Sequence, residues 1–208
     1  MGGIKLYDEI AEKLKGIESG FKEIERESKT FLKENSIEQC FNIAQKFYLS
    51  EFYQVRELST FICGSIASRL EEALRFLKEK VSRDENWRVQ EVLAKAFDTY
   101  CKDIGYEKAL PVIKEWLGDN NPNVRRAVTE GLRIWTSREY FNENPEVAIN
   151  LISNLKDDES EYVRKSVGNS LKDISKKHGE LVKKELEKWD VSKKAVNQVY
   201  KLASKFIK

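Results

Sequence analysis

The chain has 208 residues and is 35% charged, yet its 37 Lys and Arg so nearly balance its 35 Asp and Glu that the net charge is only +2. That length is enough for one substantial core or one elongated array. With no 18-residue apolar run and no basic-flanked apolar leader, a cytoplasmic protein without membrane spans is expected. One histidine, three scattered cysteines and ten glycines that never form a phosphate loop supply neither a metal-ligand set nor a nucleotide cradle, so no metal or other cofactor is expected.

Residues 6–34 are charge-rich and helical in spacing. Gly16 and Gly20 interrupt them, which predicts two short helices or one weakened in its middle. A further amphipathic helix is expected over 37–49, with Cys40, Phe41, Ala44, Phe47 and Tyr48 on its apolar side. From Tyr53 onward one grammar recurs: Val55-Arg56-Glu57-Leu58, Val89-Gln90-Glu91-Val92, Val124-Arg125-Arg126-Ala127-Val128 and Val163-Arg164-Lys165-Ser166-Val167. The leading valines are 34, 35 and 39 residues apart, a near-constant period that signals stacked helix pairs. Each pair has a Val-led first helix and a second helix behind it, the second helices being expected over 68–81, 106–117, 145–155 and about 180–189. Polar turn clusters separate the pairs, no stretch alternates with period two, and 191–208 is read as a helix closing the array. The whole chain, 1–208, is thus expected to be one all-α domain: N-terminal helices to residue 50, four clear repeats over 51–190, and the C-terminal cap.

The third repeat shows the pattern most fully. Asn121 is placed to cap a helix whose first residue is Pro122, a position where the missing N–H does no harm. Val124, Val128, Leu132 and Trp135 form one apolar stripe at about 100° per residue, and Arg126, Glu130 and Arg133 share the opposite face. Helix pairs stacked with a small rotation generate a long concave surface where ligands bind. Equivalent positions across the last three repeats would line it with Glu91, Lys95, Asp98, Thr99 and Lys102; Arg126, Glu130, Arg133, Ile134 and Ser137; Lys165, Asn169, Lys172, Asp173 and Lys176.

Arg126, Arg133, Lys165, Lys172 and Lys176 would make a credible cradle for a phosphate backbone, against the plain alternative of a solvated helix face. Glu91, Glu130 and Asp173 would repel such a ligand unless they had a task. On spacing alone, ion pairing with neighbouring Arg and Lys is the preferred account of them. Trp87 lies one turn before Glu91, at the border of core and groove, where an aromatic ring can touch a cationic base or a sugar. Trp116, Trp135 and Trp189 are expected in the core, and Cys40, Cys63 and Cys101 as buried free thiols.

Over Trp87–His178, about half the chain, the sequence resembles the AlkC/AlkD superfamily of HEAT-like-repeat DNA alkylation-repair glycosylases, more closely its AlkC side. The segments that carry the resemblance are Trp87-Arg88-Val89-Gln90-Glu91, the run Asn121 to Arg133, and the run Glu161 to His178. It implies an α-solenoid of HEAT-like repeats with a concave basic groove, acting as a monomer on double-stranded DNA that contains alkylated bases. The implied reaction is hydrolysis of the N-glycosidic bond of positively charged N-alkylated bases such as 3-methyladenine, without deep base flipping. Position by position, Glu91, Glu130 and Asp173 match the family's acidic sites, Trp87 its aromatic and Arg126 its backbone-contacting arginine. Asn169 lies where the AlkD branch has a catalytic tryptophan and the AlkC branch an asparagine, and Lys165, Lys172, Lys176 and Arg133 are expected at phosphates. A cationic base leaves as a neutral one without a general acid, so carboxylates that stabilise the developing charge on the sugar supply what the reaction needs. A DNA-binding relative without glycosylase activity, reading bent or branched duplex by shape, is the alternative, and a protein-binding helical scaffold is a third.

Overall fold

A computed structural model describes residues 2–207, and within them every side chain except those of 2–7, Leu132 and Trp135. All regular structure among the described residues is helical. The chain divides into two compact units, Met1–Ile104 and Gly105–Lys208.

The first unit holds α1 (Gly2–Leu14), α2 (Lys22–Glu34), α3 (Ile37–Phe47), α4 (Tyr53–Ile66), α5 (Glu71–Glu79) and α6 (Trp87–Ile104). The interruption at Gly16 and Gly20 therefore resolves as two helices, with Gly20 at φ 80° in the connection, where a side chain would be strained. α3 opens with a capping box: Ser36 accepts from the Gln39 N–H, and the Gln39 side chain accepts from the Ser36 N–H at 2.8 Å. The second helix expected over 68–81 is shorter, ending at Glu79 and giving way to a 3-10 turn at Val81–Arg83. α4 and α6, the first helices of successive repeats, pack side by side, and Gly64 permits the approach, since a Cβ there would lie 2.6 Å from Ala96 Cα. Val55, Leu58, Ile62 and Cys63 on α4 and Val89, Val92, Leu93 and Phe97 on α6 are fully buried, as the Val-led spacing requires.

The second unit holds α7 (Tyr106–Leu117), α8 (Pro122–Trp135), α9 (Glu139–Glu143), α10 (Pro145–Ser153), α11 (Glu161–Leu186) and α12 (Lys194–Ala203), then a 3-10 turn at Ser204–Phe206. α8 begins as expected, with the Asn121 side chain accepting from the Asn123 N–H at 2.9 Å and Pro122 in the first turn. Val124 and Val128 are fully buried beneath it, while the expected places of Leu132 and Trp135 on the stripe fall outside the described side chains. The fourth repeat differs from its expected form. No turn cluster separates its two helices, so α11 runs on for 26 residues and bends at His178 (φ −125°, ψ 47°). α9 was not anticipated, and the terminal helix is confined to Lys194–Ala203. α8 and α11 share a buried polar seam, in which the Thr129 and Ser166 hydroxyls lie 2.7 Å apart and Ser170 donates to the Thr129 carbonyl at 2.8 Å.

One device recurs at the entrance to these helices. Asp84, Asp119 and Asp158 each accept the N–H two residues on, from Asn86, Asn121 and Ser160, closing the turn before a first helix. The arginine that follows the leading valine then clamps that architecture. Arg125 donates from Nη1 to the Asp119 and Asn120 carbonyls (2.7 and 3.1 Å) and forks onto Asp158 at 2.7 and 2.8 Å. Arg56 does the same with the Ser50 and Glu51 carbonyls and Asp84, and Arg164 with the Asp158 and Glu159 carbonyls and the Gln198 side chain. At the second repeat Gln90 stands in place of arginine and donates to the Val81 and Asp84 carbonyls. Cys40, Cys63 and Cys101 are buried free thiols, and Trp116 and Trp189 are buried, as expected.

Candidate functional site

None of the side chains placed by the register on the ligand-facing side of the last three first helices is buried, so the helical wheel separates core from surface correctly. In the second unit two of the three singled-out acids come together. Arg133 on α8 donates from Nη1 to Glu130 at 2.9 Å and from Nη2 and Nε to one oxygen of Asp173 on α11, at 2.9 and 3.1 Å. Lys176 takes the other Asp173 oxygen at 2.8 Å, and Arg126 approaches the other Glu130 oxygen at 3.9 Å. Burial pushes the Asp173 carboxyl up, but hydrogen bonds from Lys176 and Arg133 outweigh it and hold the group below its ordinary value. Burial likewise lowers Arg133, and its bonds to Glu130 and Asp173 more than restore it. Two carboxylates thus sit among three cations.

The remaining expected phosphate contacts are engaged locally. Lys165 pairs with Glu161 at 2.7 Å, and Lys172 donates to the Asn169 side chain at 2.7 Å. Ile134, the apolar exception in the lining, is half exposed.

In the first unit Trp87 is 58% exposed, and Glu91, one turn on, is exposed as well. The Arg88 guanidinium lies 4.5 Å from the Trp87 ring centre and 5.1 Å from that of Tyr53, within cation–π range of both, and donates to the Glu18 carbonyl at 3.4 Å. The α1–α2 connection lies against this face. Tyr53 donates to the Ile17 carbonyl, Gln54 to the Lys15 and Ile17 carbonyls, and Phe21 meets Phe61 and carries Lys95 over its ring at 4.4 Å. The N-terminal segment, in which the sequence offers no chemistry, therefore covers part of the surface that the repeat register leaves open.

Sequence reasoning also missed Glu57. It shares the register of Glu91, Arg126 and Lys165 but is only 2% exposed, and its Oε2 has no hydrogen-bond partner among the described residues. Burial is the main cause that pushes its carboxyl up to about 7, with Arg88 and Arg56 opposing and Glu91 and Asp84 adding to the rise. A carboxyl raised in the folded state contributes stability below its ordinary value of 4.5, and that contribution is lost as the pH climbs through about 7. Glu57→Gln keeps the shape without the charge. It should therefore stabilise the protein at pH 8 by roughly 1–3 kcal/mol and change little at pH 4, as read from denaturant midpoints at the two pH values.

A helical-repeat protein with acids set among cations on its first helices is the class defined so far. Residues 16–205 match the family described as DNA alkylation repair enzyme, and the chain belongs to that family. It is similar to the crystal structure of AlkD2 from Streptococcus mutans, with 54% identity, 99% of each chain covered and a TM-score of 0.96, and so has an AlkD-like HEAT-repeat fold. A structure described as a predicted DNA alkylation repair enzyme from Enterococcus faecalis shares the fold at 18% identity, covering 89% of this chain and 82% of that one with a TM-score of 0.67. The uncharacterized protein YhaZ of Bacillus subtilis (strain 168) is 38% identical over 87 residues, a match spanning 40% of this chain and only 24% of that protein. The likeness to AlkD2 corrects the expected lean toward the AlkC side. That lean weighed single positions such as Asn169, which identity along the whole chain outweighs. Among the described residues no helix is long and apolar enough to cross a membrane.

Proposed function

We propose that the chain excises positively charged N-alkylated bases, such as 3-methyladenine, from double-stranded DNA by hydrolysing the N-glycosidic bond. The observation that carries this reading is the Glu130–Arg133–Asp173 cluster, in which two carboxylates lie among three cations, Arg126, Arg133 and Lys176. The surplus charge attracts phosphate, and the carboxylates offer fixed negative charge to a sugar whose bond to a departing cationic base is breaking. Because that base leaves neutral, no proton donor is needed at it, and one acid is free to orient the attacking water. Glu91 and Trp87, in the first unit, match the family's acid and aromatic, and their part in the reaction rests on that match alone.

One observation favours a second reading, a duplex-binding protein without excision. Arg126, Arg133 and Lys176 already engage all four oxygens of Glu130 and Asp173, so a sugar cation must displace one of them. Incubating the full chain with methylated duplex and separating the products by chromatography decides between the two. Free methylated base is the expected product, and intact DNA bound with strong salt dependence would leave the second reading standing. Absence of duplex binding even at low salt would remove both and point to a protein scaffold.

A further inference from the structure

In the free protein the two acids of the second unit are both ion-paired, and Arg133 is the cation they share. Its guanidinium donates from Nη1 to Glu130 at 2.9 Å and from Nη2 and Nε to Asp173 at 2.9 and 3.1 Å, so one side chain joins α8 to α11 and takes an oxygen of each acid. The other two cations of the cluster serve one acid each. Lys176 holds the second Asp173 oxygen and carries its ammonium 5.4 Å from the centre of the Phe206 ring, within cation–π range, so it is fixed from two sides. Arg126 stands 3.9 Å from the second Glu130 oxygen. The Arg133 side chain is 37% exposed, which screens its ion pairs and leaves the guanidinium open to a competing anion. A phosphate is such an anion, since two of its oxygens match the guanidinium fork as a carboxylate does.

We propose that Arg133 is a latch that a DNA phosphate releases: it covers Glu130 and Asp173 in the free protein and leaves them for the backbone when duplex binds, so that the two acids are uncovered only in the complex. Masked, the acids do not repel the approaching strand, because three cations set against two carboxylates give the cluster a net positive charge. Once Arg133 has moved, one oxygen of each acid is free at the same place, from α8 and α11 together. These are the oxygens that a positive charge developing on the sugar requires. Lys176, steadied by the Phe206 ring, still bonds the remaining Asp173 oxygen, so that carboxylate keeps its charge and its place. Departure of Lys176 instead would uncover Asp173 alone. The phosphate contact expected of Arg133 and the pairing found for it are then two states of one side chain.

The inference rests on the proposed excision for what the uncovered acids do, but its test uses an unmodified duplex and no base release. The affinity of the full chain for that duplex is measured by fluorescence anisotropy across a range of salt concentrations. Arg133→Gln should make the slope of log affinity against log salt shallower by about 0.9, the value of one phosphate contact, and Arg133→Lys should restore it. Glu130→Gln and Asp173→Asn together release Arg133 in advance. They should tighten duplex binding about tenfold at low salt when Arg133 is present, and no more than about threefold in Arg133→Gln, where only the general loss of negative charge acts. Thermal melting confirms that each variant is folded. An unchanged slope in Arg133→Gln would overturn the proposal, as would equal tightening in the two backgrounds or a lack of duplex binding at low salt. Base release with an unchanged slope would remove the latch and leave the excision reading intact. The latch without base release would do the reverse.

Discussion

Arg125→Ala should destabilise the Gly105–Lys208 unit by about 3–5 kcal/mol, enough to unfold it under mild denaturant. The Arg125 and Asp158 side chains are only 7% and 4% exposed, so the fork that joins them is a buried ion pair rather than a surface one. Removing the cation leaves the Asp158 carboxylate buried without its counter-charge and the Asp119 and Asn120 carbonyls without their donor. Arg125→Lys should recover little of the loss, because an ammonium cannot reach two carbonyls and two carboxylate oxygens in one plane. Arg56→Ala should cost distinctly less: Asp84 is as buried as Asp158, at 4% exposed, but its arginine is 19% exposed, so truncation opens the site to water, and the Tyr48 hydroxyl still donates to Asp84 at 3.1 Å. Urea titrations of the three variants check the order. Equal losses at Arg56 and Arg125 would mean that burial is not what sets the size of the effect.

That clamp also marks the limit of what the sequence makes legible. The leading valines announce the repeats because a buried stripe must recur every three to four residues, and Val55, Val89, Val124 and Val163 are all fully buried. The arginines beside Val55 and Val124 read as part of the same grammar, but their carboxylate acceptors lie 28 and 33 residues on, at Asp84 and Asp158, beyond any local pattern. An aspartate five residues ahead of the valine, followed two positions later by Asn or Ser, recurs at 84, 119 and 158 and was the available signal. Glu57 could not be read in this way. Its register says surface, and a connection more than thirty residues earlier, with no motif of its own, lies against the same helix. The bend at His178 was hidden for the opposite reason, since the chain there lacks the turn cluster that marks the other repeats. At the candidate site, spacing placed Glu130, Arg133 and Asp173 at ligand-facing positions and favoured ion pairing for the acids, as found, but could not say that one arginine would join the two across neighbouring helices.

Asp173→Asn should lower the rate of base release by about a hundredfold while leaving duplex affinity within a few-fold, and Glu130→Gln should act in the same direction. The reason is differential. A carboxylate near the sugar gains little from the bound ground state and much from the cation that forms as the bond to the base breaks, so its loss appears in the single-turnover rate rather than in binding. Lys176 and Arg133 hold Asp173 below the ordinary value for a carboxyl despite its burial, so its charge should be fully present from pH 5 upward and the rate should show no acid limb from this group above that pH. If Asp173 were only a partner for Arg133, Asp173→Asn would shift the unfolding midpoint, free Arg133 for phosphate and tighten duplex binding without slowing release. Single-turnover rates and duplex affinities measured on the same folded variants therefore separate an acid at the sugar from an acid that merely restrains an arginine.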